Sequence, residues 1–266
     1  MNRIDARFAA LKAEGKTAFI PYITAGDPNL AQTEKLVYAL EKAGVDIIEF
    51  GVPFSDPVGD GPVNQEAALR ALKNHITLKD IFACVARIRT NSPIPIVLFT
   101  YFNPVLAYGF VGFARDAAAA GVDGVLCVDL PPEEATEYKA ALDEAGVRTV
   151  FLMAPTSTDK RIELIARNST GFIYYVSRLG VTGERDALET DLRSAVARIK
   201  QHTDKPVAVG FGISTPAHAR DVASMADGVV VGSAIVRMIG QLGDTPDMPE
   251  KVAAFTKTLV DAAKVI

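Results

Sequence analysis

Short apolar runs alternate with longer amphipathic segments along nearly the whole chain. Short apolar runs are typical of buried strands, whereas apolar positions three or four residues apart are typical of helices that cover a sheet. The runs predict eight strands, at Ala18 to Ile23, Asp46 to Gly51, Ile94 to Thr100, Gly124 to Asp129, Arg148 to Met153, Phe172 to Val176, Pro206 to Gly210 and Gly228 to Gly232. The amphipathic segments predict helices at Leu30 to Ala43, Leu78 to Thr90, Phe110 to Ala120, Glu133 to Ala145, Asp159 to Asn168, Leu188 to Gln201, Pro216 to Ser224, from about Pro249 to Ala263, and within the N-terminal MNRIDARFAALKAEGK.

Eight strand-and-helix units in about 250 residues predict a closed parallel barrel. We therefore expect an α/β fold, a single (β/α)8 barrel domain over residues 1–266, with an extra N-terminal helix. Long loops are expected after strand 2 (Pro53 to Gln65) and strand 6 (Arg178 to Leu188). A flavodoxin-like or Rossmann sheet usually has five or six strands, and no GxGxxG motif follows the first strand here.

Composition narrows the class of protein. Apolar residues make up 49% and charged residues 23% of the chain, which is ordinary for a globular protein. No apolar run reaches the roughly 18 residues that cross a bilayer, and the N-terminus lacks a signal peptide's apolar core. A net charge of −4 without a basic stripe argues against a nucleic-acid partner. Cys84 and Cys127 lie in apolar segments, so we expect reduced core residues of a cytoplasmic protein rather than a disulfide or redox pair. The three histidines have no metal-ligand spacing, so no metal is expected.

The segment EFGVPFSDPVGDGPVNQ, from Glu49 to Gln65, places carboxylates at the end of the second strand and in the following loop. The carboxyl ends of barrel strands carry the chemistry in such enzymes. Glu49 lies in the apolar run IIEFG, where a charge is costly, about 3–5 kcal/mol once its partner is removed. Asp60 lies in a loop whose prolines and glycines specify its shape. Two acids in different environments predict general acid–base chemistry, although Asp60 alone is equally typical of a turn.

Glycine-rich segments follow the last two strands, GFGIS from Gly210 to Ser214 and GSAIV from Gly232 to Val236. Barrels frequently bind phosphate between these two loops and a short extra helix, which the residues after Ser233 are expected to form. Such glycines also serve simple tight turns, but two successive glycine loops favour a phosphate site. A small phosphate ester is therefore the expected substrate, and aldolases, isomerases and lyases all remain open at this point.

Several motifs are distributed across nearly the whole chain. They are IPYITAGDP (Ile20 to Pro28), EFGVPFSDPVGDGP (Glu49 to Pro62), VLFTYFNPV (Val97 to Val105), VDGVLCVDLPPEE (Val122 to Glu134), MAPTS (Met153 to Ser157), YYVSRLGVTG (Tyr174 to Gly183), GFGIS and GSAIV. Together, and in this order, they resemble the tryptophan synthase alpha subunit family. The resemblance implies retro-aldol cleavage of indole-3-glycerol phosphate into indole and glyceraldehyde 3-phosphate. It implies no cofactor for this chain, because pyridoxal phosphate is expected only in the β subunit.

The resemblance also implies residue roles. Glu49 matches the acid–base residue, Asp60 the acceptor of the ring N–H, and Tyr174 a site tyrosine near the glycerol chain. The residues implied to line the indole pocket are Tyr22, Phe99, Leu126 and Phe211. Those implied to contact the phosphate are Gly183, Phe211, Gly212, Gly232 and Ser233.

A β subunit is the implied partner, in an α2β2 heterotetramer that receives the indole. The implied contacts with it are Pro53, Asp56, Pro57 and Asn103, while Arg178 and Thr182 are implied in closure of the loops over substrate. Three positions depart from the usual family pattern: Gly59 replaces alanine, Asn64 an apolar residue, and Phe172 a frequent tyrosine. Asn64 implies weaker indole binding, and Gly59 implies a looser Asp60 loop.

Three alternatives stay open. Another phosphate barrel, such as indole-glycerol phosphate synthase or a phosphoribosyl isomerase, typically relies on a strand-end lysine, and no predicted strand ends in lysine here. A catalytically idle barrel would serve mainly as an allosteric partner of a β subunit, which does not require Glu49 and Asp60. A stand-alone lyase that releases free indole would share every catalytic residue with the coupled form.

Overall fold

Eight parallel strands pair in chain order, and β8 pairs with β1 to close the barrel. The computed structural model describes the backbone of residues 1–177, 185–210 and 212–264, and the side chains of the same residues except 185–190. The strands are β1 (Ala18–Thr24), β2 (Ile48–Gly51), β3 (Ile96–Thr100), β4 (Gly124–Cys127), β5 (Arg148–Met153), β6 (Ile173–Val176), β7 (Val207–Gly210) and β8 (Gly228–Val231). The helices are α1 (Arg3–Ala13), α2 (Leu30–Lys42), α3 (Pro62–Leu72), α4 (Leu78–Arg89), α5 (Phe102–Tyr108), α6 (Phe110–Ala120), α7 (Thr136–Glu144), α8 (Asp159–Asn168), α9 (Arg185–Lys200), α10 (Pro216–Ala223), α11 (Ser233–Leu242) and α12 (Met248–Lys264).

The predicted barrel, its N-terminal helix and the extra helix after β8 are confirmed, and the predicted elements agree with the observed bounds within three residues. Two helices, α3 and α5, lie where the pattern predicts loop. Helix α3 escapes prediction because the residues it buries are alanines, and its Leu69 is exposed. Helix α5 has seven residues and ends at Gly109, whose φ of 86° favours glycine. The loop after β2 therefore ends at Gly61 rather than Gln65.

Two apolar layers fill the molecule, one inside the barrel and one between the strands and the outer helices. The interior layer includes Ile20, Val97, Leu126 and Val150 from four of the strands. Helix α1 adds its own apolar face to this interior layer, so it covers the amino-terminal end of the barrel. The carboxyl end is the one left for a site, as in barrel enzymes generally.

At the amino-terminal rim, alternate strands share one hydrogen-bond arrangement. A backbone N–H near the start of each odd-numbered strand donates to a side-chain oxygen of a residue before the next strand. The backbone N–H of the residue before the even strand donates in turn to the carbonyl of the residue in the odd strand. Two hydrogen bonds therefore join each pair of residues. The N–H donors and side-chain acceptors are Phe19 to Asp46 (2.6 Å), Ile96 to Asp123 (2.9 Å), Thr149 to Thr170 (2.8 Å) and Val207 to Asp227 (2.7 Å).

Ion pairs attach α1 to this rim. Arg3 contacts Asp123 at 2.7 Å, and Arg7 bonds Asp46. Asp123 also accepts from Arg89 at 2.7 Å, so one buried carboxylate joins two cations and a strand N–H. Removal of one partner from a buried pair leaves an uncompensated charge, so these aspartates are expected to contribute strongly to stability.

We expect Asp123→Asn to lower the free energy of unfolding by about 3 kcal/mol, because Arg89 then lies buried without a counter-charge. Urea unfolding followed by far-ultraviolet circular dichroism measures this loss. Asp261→Asn is the matched control, since Asp261 pairs with Lys257 in water and is expected to contribute less than about 0.5 kcal/mol. Equal small losses in both variants would contradict the role given to Asp123.

Candidate active site

Glu49 is the second of the four residues of β2, where it is paired in register with Tyr22 of β1 and Val97 of β3. Its side chain is enclosed, with 1% of its surface exposed, and within the described part of the chain its Oε1 has no hydrogen-bond partner. Burial first, and then the nearby charge of Asp60, raise the pKa of Glu49 to about 8. The Glu49 carboxyl is therefore protonated at neutral pH and carries a transferable proton.

Asp60 lies at the end of the loop after β2, and both of its carboxylate oxygens accept hydrogen bonds. The Tyr101 hydroxyl donates to Oδ2 at 2.8 Å, and the Asn64 amide donates to Oδ1 at 3.3 Å. Burial raises the pKa of Asp60, while these two hydrogen bonds act in the opposite direction. Asp60 is thus less enclosed than Glu49 and has donors that favour its charged form.

Tyr101 supports the Asp60 loop at three points. Its hydroxyl accepts from the Gly59 N–H at 3.0 Å and donates to Asp60, while its ring packs on Phe54 at 5.3 Å between centroids. Burial and the carboxylate of Asp60 raise the pKa of Tyr101, so its hydroxyl keeps its proton and remains a donor. The sequence alone does not predict this role of Tyr101, because nothing in the motif indicates its bond to Asp60.

Aromatic and aliphatic side chains surround the two acids. Tyr22 and Phe99 form an edge-to-face pair with centroids 5.2 Å apart, and Leu126 and Tyr174 belong to the interior layer. Burial is the main cause that raises the pKa of Tyr22 and of Tyr174, and the charges of Asp60 and Glu49 also contribute to both. The structure thus places Tyr22, Phe99 and Leu126, three of the predicted pocket residues, on the strands β1, β3 and β4 around the two acids.

Two glycines make room for the tyrosine hydroxyls, a role that the sequence alone does not predict. A Cβ at Gly51 would lie 2.2 Å from the Tyr22 oxygen, and one at Gly210 would lie 2.3 Å from the Tyr174 oxygen. Any side chain there would displace a tyrosine, so glycine is required at both positions. Their signal in the sequence is only a glycine at the end of an apolar run, which is also typical of a tight turn.

The predicted phosphate end lies where α11 follows β8. Gly232 precedes the helix, and Ser233 is its first residue. Gly232 makes no side-chain cap to the first turn of α11, and an anion is favoured at such a helix N-terminus. Gly212 has a φ of 78°, a conformation that glycine adopts readily. The predicted contacts Gly183 and Phe211, and the predicted closure residues Arg178 and Thr182, lie outside the described residues.

An ion pair fixes α3, the helix that follows Asp60. Arg70 donates two hydrogen bonds to the buried Asp27, at 2.8 and 2.7 Å. Its guanidinium also lies against Gly240 of α11, where a Cβ would be 2.8 Å from Nη2. The helix behind Asp60 is therefore tied both to the loop after β1 and to the helix at the phosphate end.

The residues predicted to meet a partner differ in exposure. Asp56 and Asn103 are exposed, Pro57 is half-buried and Pro53 is buried. Two apolar side chains next to them in sequence are also exposed, Val58 by 74% and Leu106 by 53%. Among the described helices, none has the length and apolar composition that a membrane crossing needs.

The site combines a buried acid with a raised pKa, a second carboxyl held by two donors, apolar and aromatic side chains, and a helix N-terminus without a side-chain cap. The family model of the tryptophan synthase alpha chain matches residues 8–264. A tryptophan synthase alpha chain from Geobacter sp. (strain M21) is 54% identical over 259 residues, with 97% of each chain covered. The solved structure of tryptophan synthase subunit alpha from Legionella pneumophila str. Paris has a TM-score of 0.91 and 37% identity, and the match covers 99% of this chain and 98% of that one. A structure of tryptophan synthase from M. tuberculosis has a TM-score of 0.89 and 35% identity, over 100% and 99% of the two chains. The chain therefore belongs to the tryptophan synthase alpha chain family.

Proposed function

We propose that Glu49 and Asp60 carry out the retro-aldol cleavage of indole-3-glycerol phosphate, which gives indole and glyceraldehyde 3-phosphate. The observation that carries this assignment is the pair itself: an enclosed carboxyl with a raised pKa close to a second carboxyl that is positioned by two donors. Two carboxyl groups in such different environments are suited to opposite roles.

The reaction requires two proton transfers and the cleavage of one carbon–carbon bond. Glu49, protonated at neutral pH, donates its proton to the ring carbon that bears the side chain. The resulting positive charge spreads to the ring nitrogen, where Asp60 accepts the N–H hydrogen bond and stabilises it. The Glu49 carboxylate then takes the proton from the neighbouring hydroxyl as the bond breaks. The electrons of the broken carbon–carbon bond return to the ring. Indole and an aldehyde are formed, and Glu49 is protonated again.

The remaining site residues bind and orient the substrate. Tyr22, Phe99 and Leu126 provide a flat apolar surface for the indole ring, and Tyr174 lies near the glycerol chain. Gly212, Gly232 and Ser233 receive the phosphate at the start of α11, because free N–H groups at a helix N-terminus favour an anion. The assignment extends to Gly183 and Phe211 as ligand contacts and to Arg178 and Thr182 as closure residues. Proton transfer supplies all of the chemistry, so the chain needs no cofactor of its own.

A tryptophan synthase β subunit is the proposed partner, in an α2β2 assembly in which the β subunit holds pyridoxal phosphate and receives the indole. Two exposed apolar side chains support an interaction surface here, because Val58 follows Pro57 and Leu106 lies three residues after Asn103 on α5. Asp56 belongs to the same surface. Pro53, which is buried, is proposed to shape the loop for this contact through its fixed φ.

Indole formation by the purified chain, with and without a tryptophan synthase β subunit, tests the assignment. We expect slow cleavage of indole-3-glycerol phosphate by the chain alone and much faster cleavage with the partner, because closing loops complete the site. Equally fast cleavage without the partner would indicate a stand-alone lyase. The absence of cleavage in both conditions would remove the proposed reaction.

The pH profile of kcat/KM tests the proton on Glu49. We expect kcat/KM to fall as the pH rises through about 8, because the free enzyme then loses the proton that it must donate. Glu49→Gln is expected to reduce the rate by about 10²–10⁴-fold, since an amide cannot transfer a proton.

The matched control is Glu66→Gln, which makes the same chemical change at an exposed position of α3. This variant should keep its activity, and its kcat/KM should still fall as the pH rises through about 8. A wild-type profile that stays flat from pH 7 to 10, or a Glu49→Gln variant with near-normal activity, would contradict the assignment.

A further inference from the structure

Asn64 is a half-buried polar side chain in the first turn of α3, and among the described residues its amide is bonded at one end only. Its Nδ2 donates to Asp60 Oδ1 at 3.3 Å, while its Oδ1 is buried and has no hydrogen-bond partner there. A buried acceptor without a donor is unfavourable, which leaves the Asn64 side chain poorly held in this arrangement.

The two donors to Asp60 differ in strength. Tyr101 donates at 2.8 Å, and its own position is fixed by the Gly59 N–H and the Phe54 ring. Asn64 donates at 3.3 Å, beyond the usual range for N–H donors, and only this bond holds its amide. Any donor on a ligand that approaches Asp60 therefore meets a firmly held oxygen, Oδ2, and a weakly held one, Oδ1.

We propose that Asn64 is a positioning residue that holds Asp60 Oδ1 in the substrate-free chain and yields this oxygen to the ring N–H of the substrate. The proposal rests on the function given above to Asp60. It adds that the substrate, on binding, breaks the hydrogen bond between Asn64 and Asp60. The ring N–H replaces an existing hydrogen bond instead of meeting an empty acceptor. Asn64 thereby lowers the affinity for ligands that carry a ring N–H, while it keeps the carboxylate aligned before they bind.

Two non-reactive ligands separate this exchange from ordinary packing. The first is 3-(indol-3-yl)propyl phosphate, which lacks the hydroxyl that cleavage requires. The second is its benzothiophene counterpart, in which sulfur replaces the ring N–H at nearly the same shape. The ratio of their dissociation constants, measured by calorimetry on the full chain at pH 8, reports the N–H preference.

We expect Asn64→Leu to bind the indole ligand about three- to tenfold more tightly than the wild type, the value of one net hydrogen bond, with benzothiophene affinity changed less than twofold. Asn64→Ala removes the same donor without adding volume, so it should increase the N–H preference in the same way. If leucine only improves packing, the affinity for both ligands rises by the same factor and the ratio of their dissociation constants stays the same. That result would overturn the proposal.

Gln65→Leu is the matched control. Gln65 donates to the backbone carbonyl of Asp60 at 2.8 Å rather than to its carboxylate, so the same amide-to-leucine change should leave the N–H preference unaltered. A rise in the preference equal to that of Asn64→Leu would show a general effect of the helix and contradict the specific role.

Asp60→Ala separates this proposal from the one it rests on, because alanine removes both acceptor oxygens, whereas asparagine would keep one. If Asp60 accepts the ring N–H, this variant loses most of the preference for indole over benzothiophene. A preference that survives in Asp60→Ala would remove the role of Asp60 itself. A preference that is lost in Asp60→Ala but unchanged in Asn64→Leu and Asn64→Ala would remove only the role of Asn64.

Discussion

The enclosure of one carboxyl group inside the closed barrel is the constraint on which the site depends. Glu49 lies among apolar interior side chains with an oxygen that no donor reaches. A charge there would lack both water and a partner, so the proton stays on the group at neutral pH. The raised pKa is therefore produced mainly by strand closure and the apolar layer, and the charge of Asp60 adds to it. Asp60 complements Glu49 as a carboxyl that is hydrogen-bonded and less enclosed.

Most of the fold can be predicted from the sequence because strand burial and helix amphipathicity are local patterns. The closed eight-stranded order and the helix at Ser233 follow from them. Helix α3 cannot be found this way, since its buried face consists of alanines and its Leu69 points to water. Helix α5 is one short segment directly after β3, where pattern methods have too few residues to detect a period.

The site is predictable in its acids and less so in what positions them. Glu49 and Asp60 stand out as carboxylates in an apolar run and in a specified loop. Tyr101 does not, because its bond to Asp60 joins residues 41 positions apart. The same holds for Gly51 and Gly210, whose importance depends on where a tyrosine hydroxyl from another strand lies. Long-range contacts of this kind are properties of the closed barrel and have no local sequence signal.

The paired hydrogen bonds at the amino-terminal rim also bear on how the barrel assembles. Each joins an odd strand to the next even one across only 20 to 27 residues of chain. The ion pairs that attach α1 to Asp123 and Arg148 span 120 and 143 residues. Loops that are short in sequence close at a lower entropic cost. The molecule is thus built as four strand-pair modules that can form early, while the seam between β8 and β1 and the docking of α1 belong to the late stage of folding.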